Sequence, residues 1–446
     1  MVTVWQEITF GAARAFRTIV PTHQNRIPLT WNNGIQPIAL YAPFIFLAYL
    51  SRREDTHLIR LLLLPSVITC IISSAYRYTF TIPQLNVYNW GQGLLAAVTI
   101  AKALEFAFTP EGMLKVGESR PGVTKGKARS PPPANGKANG NGHASYTPSE
   151  QVWPADERSS YIATWFYDAI EVAHTLRGLK WKFGRGLYVP PPTRPTERGP
   201  YIRATLRSFV INFFLLDLLE SFLKLFPGVG EPTGGTMFYP SLSLPARYFT
   251  STVIHMLTGA SILFGFGMIY DLITLIAVCL FDSEPASWPP VMGDPWHADS
   301  MHRFWSKDWH QLLRQTFYVY GGLPGKWLFG DFGMLFGMFL ASGLFHECAM
   351  YAMSRGFEYH AIVFFGSQGF ILLGERLWRK VVGRRVSGVI GRLWVYTVMF
   401  IGPQMMIDSW HRRGLGGGMV IPPMLSPARW IYGPLLMKLL QANRNN

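Results

Sequence analysis

The chain has 446 residues, of which 49% are hydrophobic and only 15% are charged, and the apolar residues come in long unbroken runs. That balance argues against two or three soluble domains and favours one polytopic membrane domain. The formal net charge is +15, but the Lys and Arg residues lie in short loops beside the apolar runs rather than on one basic face, so no nucleic-acid partner is expected.

Residues 1–108 are predicted to hold an amphipathic segment and the first three membrane spans. The first 34 residues lack the pattern of a cleavable signal, and the spacing of Trp5, Arg14 and Phe16 is typical of a helix at the membrane interface. Each predicted span is close to the length that a helix needs to cross about 30 Å of hydrocarbon. The three spans are placed at residues 35–50, 58–76 and 87–108.

Residues 109–150 are rich in Gly, Pro, Asn and Lys and offer almost nothing to bury. This composition predicts a disordered cytosolic loop. The loop is interpreted either as a regulatory arm or as a tolerated insertion, and the insertion is favoured because loop length costs little free energy. Residues 151–446 are predicted to form the remainder of the same membrane domain.

Residues 161–187 are predicted to lie on the membrane surface, with Arg177, Lys180, Lys182 and Arg185 facing anionic headgroups. A fourth span is placed at 205–226. The next apolar run, 248–281, is long enough for one steeply tilted helix or for a helical hairpin. A single crossing is favoured because it puts most basic loops on one side, which the positive-inside rule makes cytosolic. Arg412 and Arg413 run against this scheme.

The remaining spans complete an all-α membrane bundle of about nine transmembrane helices. Residues 282–326 are expected to form a cytosolic loop before them. The four later spans are placed at residues 328–353, 357–378, 390–407 and 430–440.

His346 lies deep in the sixth of these spans, next to the small residues Ser342 and Gly343, which allow a neighbouring helix or a substrate to approach the backbone. An ionisable group inside a membrane span is by default a candidate functional residue. A neutral imidazole can take a proton from a hydroxyl and so act as a general base. The simpler interpretation is a histidine hydrogen-bonded to a neighbouring helix.

The segment RFWSKDWHQLLR, residues 303–314, crowds aromatic and cationic side chains around His310. Trp305 and Trp309 are four residues apart and share a face if the segment is helical. Such aromatic rings suit the apolar part of an anionic amphiphile, while Lys307 and Arg314 suit its phosphates. The simpler interpretation is an interfacial helix anchored by Trp and Lys.

Other candidate motifs lack the residues or the spacing that their chemistry requires. His346 and Glu347 begin like a zinc-protease helix, but the second histidine of HExxH is missing, so no metal site is predicted. The stretch GGLPGKW is one residue short of a phosphate-binding P-loop and ends in Trp327 where Ser or Thr would bind magnesium. His255 and His360 are expected to be helix-packing residues.

The segment PPVMGDPWHADSMHRFWSKDWHQLLR, the buried histidine of SGLFHE and the short motif RGLKW at 177–181 together resemble the wax synthase-like branch of the membrane-bound O-acyltransferase superfamily. The resemblance implies a many-helix fold that encloses a tunnel, in which an acyl group moves from coenzyme A to an alcohol. It also implies that His346 is the catalytic histidine and that His310 is the second active-site residue, where plant members typically carry Asn.

Fungal members of this branch look similar to the chain, and their usual reaction is acetylation of a terpenoid or meroterpenoid hydroxyl in secondary metabolism. The resemblance therefore implies acetyl coenzyme A as a cosubstrate bound near Trp305, Lys307, Trp309 and Arg314, a lipophilic alcohol as acceptor, no permanently bound cofactor, and a place in the endoplasmic reticulum membrane. Two alternatives remain open. One is a long-chain acyltransferase that makes wax or sterol esters, and the other is a proton-coupled transporter.

Overall fold

The computed structural model describes residues 3–124 and 164–431. Helices dominate this part of the chain. They are α1 (Val4–Ile19), α2 (Ile35–Ala39), α3 (Ala42–Ser51), α4 (His57–Arg77), α5 (Asn86–Phe108), α6 (Thr164–His174), α7 (Arg198–Leu223), α8 (Leu244–Leu280), α9 (Met301–Arg303), α10 (Arg314–Phe317), α11 (Leu323–Ala352), α12 (His360–Val382), α13 (Gly388–Ile401) and α14 (Gln404–Arg412).

The strands are only two or three residues long. Strands β1 (Ile27–Pro28) and β2 (Tyr78–Thr79) pair in parallel, and β3 (Glu118–Arg120) and β4 (Val123–Thr124) pair antiparallel. The predicted all-helical class therefore holds for the main body of the described chain.

Four helical segments in the described ranges are long and apolar enough to cross a membrane, judged by length and composition: His57–Arg77, Pro83–Phe108, Leu244–Leu280 and Arg314–Ala352. Ile35–Ser51 is a shorter apolar segment. The prediction of about nine spans is not confirmed. Helices α7 and α12 are long enough but fall outside the group, and the predicted span at 430–440 lies almost entirely outside the described residues.

Helix α8 answers the question that the run at 248–281 left open. It continues without a break from Leu244 to Leu280 over 37 residues, so the run is one helix and not a hairpin. At a rise of 1.5 Å per residue it is about 55 Å long. The preferred sequence interpretation is confirmed in this respect.

A helical hairpin occurs instead between Arg314 and Ala352. The helical backbone breaks at Phe329 and at Gly330, where φ is 60° and ψ is −147°, a conformation open to glycine but not to other residues. The prediction of a loop up to residue 326 is therefore wrong from residue 314 onward, where the chain is helical, whereas the second arm falls within the predicted span at 328–353. Residues 314–328 are the first helical arm, and residues 331–352 are the second.

The two arms of this hairpin meet backbone to backbone. Gly321 lies against Gly337 and Gly325 lies against Gly333, so that a Cβ on any of the four would overlap a carbonyl oxygen of the other arm. This explains the glycines of GGLPGKW as packing residues. The residues at the tip are large, apolar and exposed, among them Trp327 and Phe329.

Residues 109–124 are ordered, contrary to the predicted disordered loop that begins at residue 109. Arg52 donates two hydrogen bonds to the Glu118 carboxylate, at 2.7 and 2.8 Å, and a third to the carbonyl of Met113 at 2.7 Å. The sequence prediction missed this anchor because Arg52 lies more than sixty residues earlier in the chain. Residues 125–150 of the predicted loop lie outside the described residues.

Two apolar cores flank the middle of the bundle. The first joins α3, α4, α5 and α6 around residues such as Leu47, Ile71 and Phe106. The second joins α7, α8, α11, α12 and α14 around residues such as Ile254 and Phe364. Between them lies the cavity that carries the candidate site.

Candidate active site

A cavity of about 1080 Å³ opens between the two cores. Its described lining comes from α3, α5, α6, α8, the segment at 301–314, α11, α12, α13 and α14, with further residues from loops. The predicted site residues all line it: His310, His346, Trp305, Lys307, Trp309 and Arg314. Residues that are far apart in the sequence thus meet around one enclosed space.

His346 is held in the cavity wall by aromatic rings. Its imidazole stacks on Phe365 of α12, with ring centroids 5.0 Å apart and planes within 7°. Trp410 of α14 packs on it at 5.8 Å. Gly343 permits the close approach of α12 because it has no side chain. A Cβ at this position would lie only 2.5 Å from the Cα of Ile362. The predicted role of Gly343 is therefore confirmed.

His310 reaches the same cavity from the turn that follows residues 304–308. Its ring stacks on Phe266 of α8 at 4.8 Å. The Gln311 side chain donates hydrogen bonds to the carbonyls of Trp305 and Trp309, both at 2.9 Å, and so fixes the turn. Within the described chain, the Nδ1 atoms of His310 and His346 have no hydrogen-bond partner.

The 304–308 segment is π-helical and packs into the protein. Phe304 stacks on Trp309 at 5.5 Å, and Trp305 donates a hydrogen bond to Gln368 at 3.2 Å. Because Phe304 is buried and both tryptophans are partly buried, these rings do not anchor an interfacial helix. The simpler interpretation of this segment is wrong, and its aromatics build the cavity wall instead.

Polar contacts at the two ends of this segment hold it in place. The Glu375 carboxylate accepts from the backbone amides of Met301 at 2.7 Å and His302 at 2.9 Å. Arg303 donates to the buried Asp308 at 2.9 Å. Burial raises the pKa of Asp308, and the neighbouring Arg303 opposes that rise. Arg303 is thus used in a protein contact, which leaves Lys307 and Arg314 as the cations of this segment that face the cavity.

Exposed positively charged side chains mark the opening of the cavity. Lys307, Arg314 and Arg376 all line it and are exposed, and the Lys307 ammonium also lies over the ring of Tyr188 at 5.4 Å. The described lining contains no Asp or Glu. An anionic group is therefore favoured at this opening, while the interior is mostly apolar.

Arg177 of the motif RGLKW occupies an interior position. It donates hydrogen bonds to the carbonyls of Pro289 at 2.8 Å and Pro290 at 2.7 Å, and to the Tyr270 hydroxyl at 2.7 Å. Its prediction as a headgroup-facing cation is wrong, because the side chain is buried. The short motif and the start of the long motif are thus joined directly.

Glu347, next to His346, forms a buried ion pair with Arg413. Its carboxylate is fully buried and accepts from both terminal nitrogens of Arg413, at 2.5 and 2.9 Å. The backbone amide of Glu358 also donates to it at 2.7 Å. Arg413 therefore links α11 to the end of α14, which explains why it did not fit the charge-based topology.

Sequence reasoning missed several polar residues of the cavity wall. His255 was expected to be a packing residue, but it lines the cavity, as do Lys102 and Trp410. His360 does not belong to the described lining, and its Nδ1 lies 3.0 Å from the Glu358 carboxylate. A single sequence offered little to separate the two histidines, because both lie in apolar runs. Among the described residues, no group of three His, Cys, Asp or Glu side chains is arranged to hold a metal ion.

Part of the chain is similar to a known protein family. Residues 288–367 match the family described as Membrane bound O-acyl transferase family. This segment contains His310, His346 and the aromatic turn that carries His310. The match therefore covers the part of the chain that builds the site.

Several curated fungal proteins are similar to longer parts of the chain. Acetyltransferase eriL of Hericium erinaceus is 27% identical over 257 residues, which are 54% of this chain and 65% of that protein. O-Mevalon transferase yanI of Aspergillus niger is 25% identical over 213 residues, 42% of this chain and 46% of that protein. Acetyltransferase ataH of Aspergillus terreus is 40% identical over 164 residues, 33% of this chain and 52% of that protein.

The fold and the site define a helical membrane protein in which two histidines from separate segments share one cavity with a cationic opening. The segment that builds the site is similar to the membrane-bound O-acyltransferase family, and longer parts of the chain are similar to fungal proteins named acetyltransferase and O-mevalon transferase. The chain spans 46% to 65% of the length of the three relatives described above.

Proposed function

We propose that this protein is a membrane-bound O-acyltransferase that moves an acetyl group from acetyl coenzyme A to a hydroxyl of a lipophilic terpenoid or meroterpenoid. The observation that carries the proposal is the meeting of His310 and His346 in one cavity whose opening is cationic and whose interior is apolar. Two of the similar proteins described above are named acetyltransferases. The endoplasmic reticulum membrane is the proposed location.

The opening suits coenzyme A. Its phosphates meet Lys307, Arg314 and Arg376, since Arg and Lys bind phosphate through charge-assisted hydrogen bonds. Its thin pantetheine arm then passes Trp305 and Trp309 toward the histidines. The cavity volume of about 1080 Å³ is at the upper end of ligand pockets, which measure roughly 300–1,000 Å³. The reacting parts of two substrates therefore fit together.

His346 acts as the general base in this proposal. It removes the hydroxyl proton as the acceptor oxygen attacks the thioester carbonyl, and His310 donates a hydrogen bond to the oxyanion that develops. The new C–O bond forms, the C–S bond breaks, and the proton passes from His346 to the departing thiolate. The products are an ester and free coenzyme A, without an acyl-enzyme. The apolar wall limits hydrolysis of the thioester.

The test is thiol release by the purified full-length protein with acetyl coenzyme A and an acceptor fraction from cells that lack the protein. His346→Ala is expected to lower turnover by at least about 100-fold, the lower range for loss of a general base. His360→Ala, a helix histidine bonded to Glu358, is the matched control and is expected to retain turnover. Unchanged thiol release in His346→Ala contradicts the mechanism.

A larger acyl group is the second candidate donor. A relative named O-Mevalon transferase indicates that transfer in this family extends beyond acetyl, and the apolar cavity also accommodates a longer chain. Competition between acetyl and palmitoyl coenzyme A separates the candidates. Preferential use of palmitoyl coenzyme A identifies a wax- or sterol-ester synthase, and proton-coupled uptake into vesicles without thiol release contradicts acyl transfer altogether.

A further inference from the structure

Three residues of the cavity lining carry polar atoms that the proposed reaction does not use. Trp90 of α5, His255 of α8 and Trp410 of α14 line the cavity. In the described chain, no hydrogen-bond partner is present for the indole nitrogens of the two tryptophans or for Nδ1 of His255. His255 and Trp410 are only 7% and 4% exposed. Such deeply buried polar atoms normally have a hydrogen-bond partner.

The positions of His255 and Trp410 are fixed by the contact between α8 and α14. Ser251 donates to Gln404 at 3.1 Å, and Thr258 lies 2.9 Å from Nε2 of His411. Residues 251, 255 and 258 share one face of α8 because they are about one helical turn apart. His255 is thus held between two interhelical hydrogen bonds, on a part of the wall that has little freedom to move.

This part of the wall begins beside the proposed reaction centre. The Trp410 ring lies 5.8 Å from the His346 ring, and both belong to the lining of the same cavity. The surrounding lining is apolar, with Ile262, Met406 and Ile407. A molecule with its hydroxyl at His346 therefore extends past Trp410 toward His255.

The chemistry of the three side chains selects oxygen. An indole N–H only donates a hydrogen bond, and an imidazole nitrogen donates or accepts. A hydroxyl or carbonyl oxygen on an apolar frame satisfies both. A carboxylate or phosphate is not favoured here. The Lys and Arg residues of the described lining are Lys102, Lys307, Arg314 and Arg376, and none of them lies on α8 or α14.

We propose that Trp90, His255 and Trp410 form a subsite for a second oxygen substituent of the acceptor. The inference rests on the proposed acyltransferase function and narrows its substrate class. The acceptor is a lipophilic alcohol that carries at least one further hydroxyl or carbonyl oxygen, and a simple hydrocarbon alcohol is a poor acceptor.

Two probe series of different length test the subsite. One is androstanol, androsterone and androstanediol, which share a rigid frame and differ in the far oxygen. The other is menthol and para-menthanediol, in which the two oxygens are close together. Binding to the full-length protein in nanodiscs is measured for each probe, and thiol release with acetyl coenzyme A is recorded in parallel.

The expected result is that, in at least one series, a probe with two oxygens binds at least about tenfold more tightly than its monoalcohol, equivalent to about 1.4 kcal/mol. His255→Phe and Trp410→Phe keep an aromatic ring but remove the polar nitrogen, and each is expected to bring this ratio close to one. His255→Gln retains a hydrogen-bonding group and is expected to restore part of it. The matched control His360→Phe keeps the wild-type ratio.

Equal binding of the mono- and dioxygenated probes in both series overturns the subsite, as does a ratio that survives both Phe substitutions or a failure of every probe to bind. The ratio is insensitive to a general loss of folded protein, because both probes meet the same sample. Thiol release together with equal binding of the mono- and dioxygenated probes counts against the subsite alone. A binding ratio without thiol release from any probe or from the cellular acceptor fraction counts against the acyltransferase alone.

Discussion

The imidazole of His346 and the phenyl ring of Phe365 lie nearly parallel, with centroids 5.0 Å apart and an interplanar angle of 7°. The two residues belong to α11 and α12, so the orientation of the proposed base depends on how these helices pack. Since small errors in the position of a catalytic group lower turnover strongly, the stack is expected to matter for rate more than for substrate affinity.

Phe365→Leu keeps the site apolar but removes the flat surface under His346. We expect turnover to fall by roughly 10- to 100-fold, the range that a misplacement of about 1 Å produces, with little change in KM for acetyl coenzyme A. Phe370→Leu, on the exposed side of the same helix, serves as the control. Steady-state kinetics of both variants decide the point, and an unchanged kcat in Phe365→Leu contradicts the positioning role.

The cationic opening predicts a dependence on salt. Lys307→Ala and Arg376→Ala are each expected to raise KM for acetyl coenzyme A by roughly 3- to 10-fold at low salt, and by less at high salt, because exposed charges are screened. Lys380→Ala, on α12 but absent from the described cavity lining, is the control. A KM that rises equally in all three variants argues against phosphate binding at this opening.

The pair formed by Glu347 and Arg413 is expected to be important for folding. Breaking a buried ion pair leaves an uncompensated charge and costs about 3–5 kcal/mol, so Glu347→Gln is expected to unfold at a much lower temperature. Replacing both residues with Met is expected to recover much of that loss. Glu54→Gln, which breaks the exposed pair with Arg120, is expected to cost no more than about 1 kcal/mol.

The hairpin predicts that an added methyl group is not tolerated between its arms. Gly337→Ala places a Cβ against the Gly321 carbonyl, and because a backbone atom cannot move aside cheaply we expect a loss of about 1–3 kcal/mol or more. Gly374→Ala in α12 has open space around its Cβ and is expected to be neutral or stabilising. Unfolding midpoints of the two variants should differ clearly, and equal midpoints contradict the close contact.

The anchor at residues 109–124 predicts a pH dependence of stability. Burial alone would raise the pKa of Glu118, but the hydrogen bonds and charge of Arg52 and the hydrogen bonds from the backbone amides of Lys115 and Gly122 together outweigh it, so the pKa lies below its ordinary value of 4.5. The folded state therefore binds a proton less readily than the unfolded state. The contribution of this carboxylate is fully present above about pH 4.5 and declines as the pH falls through the lower folded pKa.

Glu118→Gln tests this titration. The difference in unfolding temperature between wild type and Glu118→Gln is expected to be constant from neutral pH down to about 4.5 and to shrink below that. A difference that already disappears between neutral pH and 5 places the titration on another group.

The sequence predicted residues that line the cavity better than it predicted the path of the chain. His310, His346 and the aromatic turn were identified because ionisable and aromatic residues stand out in an apolar chain, and the structure brings them together. The hairpin was missed because GGLPGKW has the composition of a loop. Its glycines instead pack against Gly333 and Gly337 of the second arm. Hydropathy does not encode such backbone contacts.

The contacts of buried arginines with residues far away in the sequence were also not predicted. Arg177 was predicted to face lipid headgroups and Arg413 ran against the charge-based topology, yet both, like Arg52, are buried against a partner far away in the sequence. The role of a buried arginine depends on which group accepts its hydrogen bonds, and a single sequence does not identify that group. The same limit hid His255, whose apolar neighbours resemble those of His360.

Helix α8 has a consequence for the surrounding lipid. It is a continuous rod of about 55 Å, whereas the hydrocarbon layer of a bilayer measures about 30 Å. Such a mismatch is relieved by inclination of the helix or by deformation of nearby lipids, at a cost of a fraction of a kcal/mol for each ångström. Acyl-chain length in reconstituted vesicles thus becomes an experimental variable in its own right, able to alter how the wall around His255 is presented to a molecule arriving from the lipid phase.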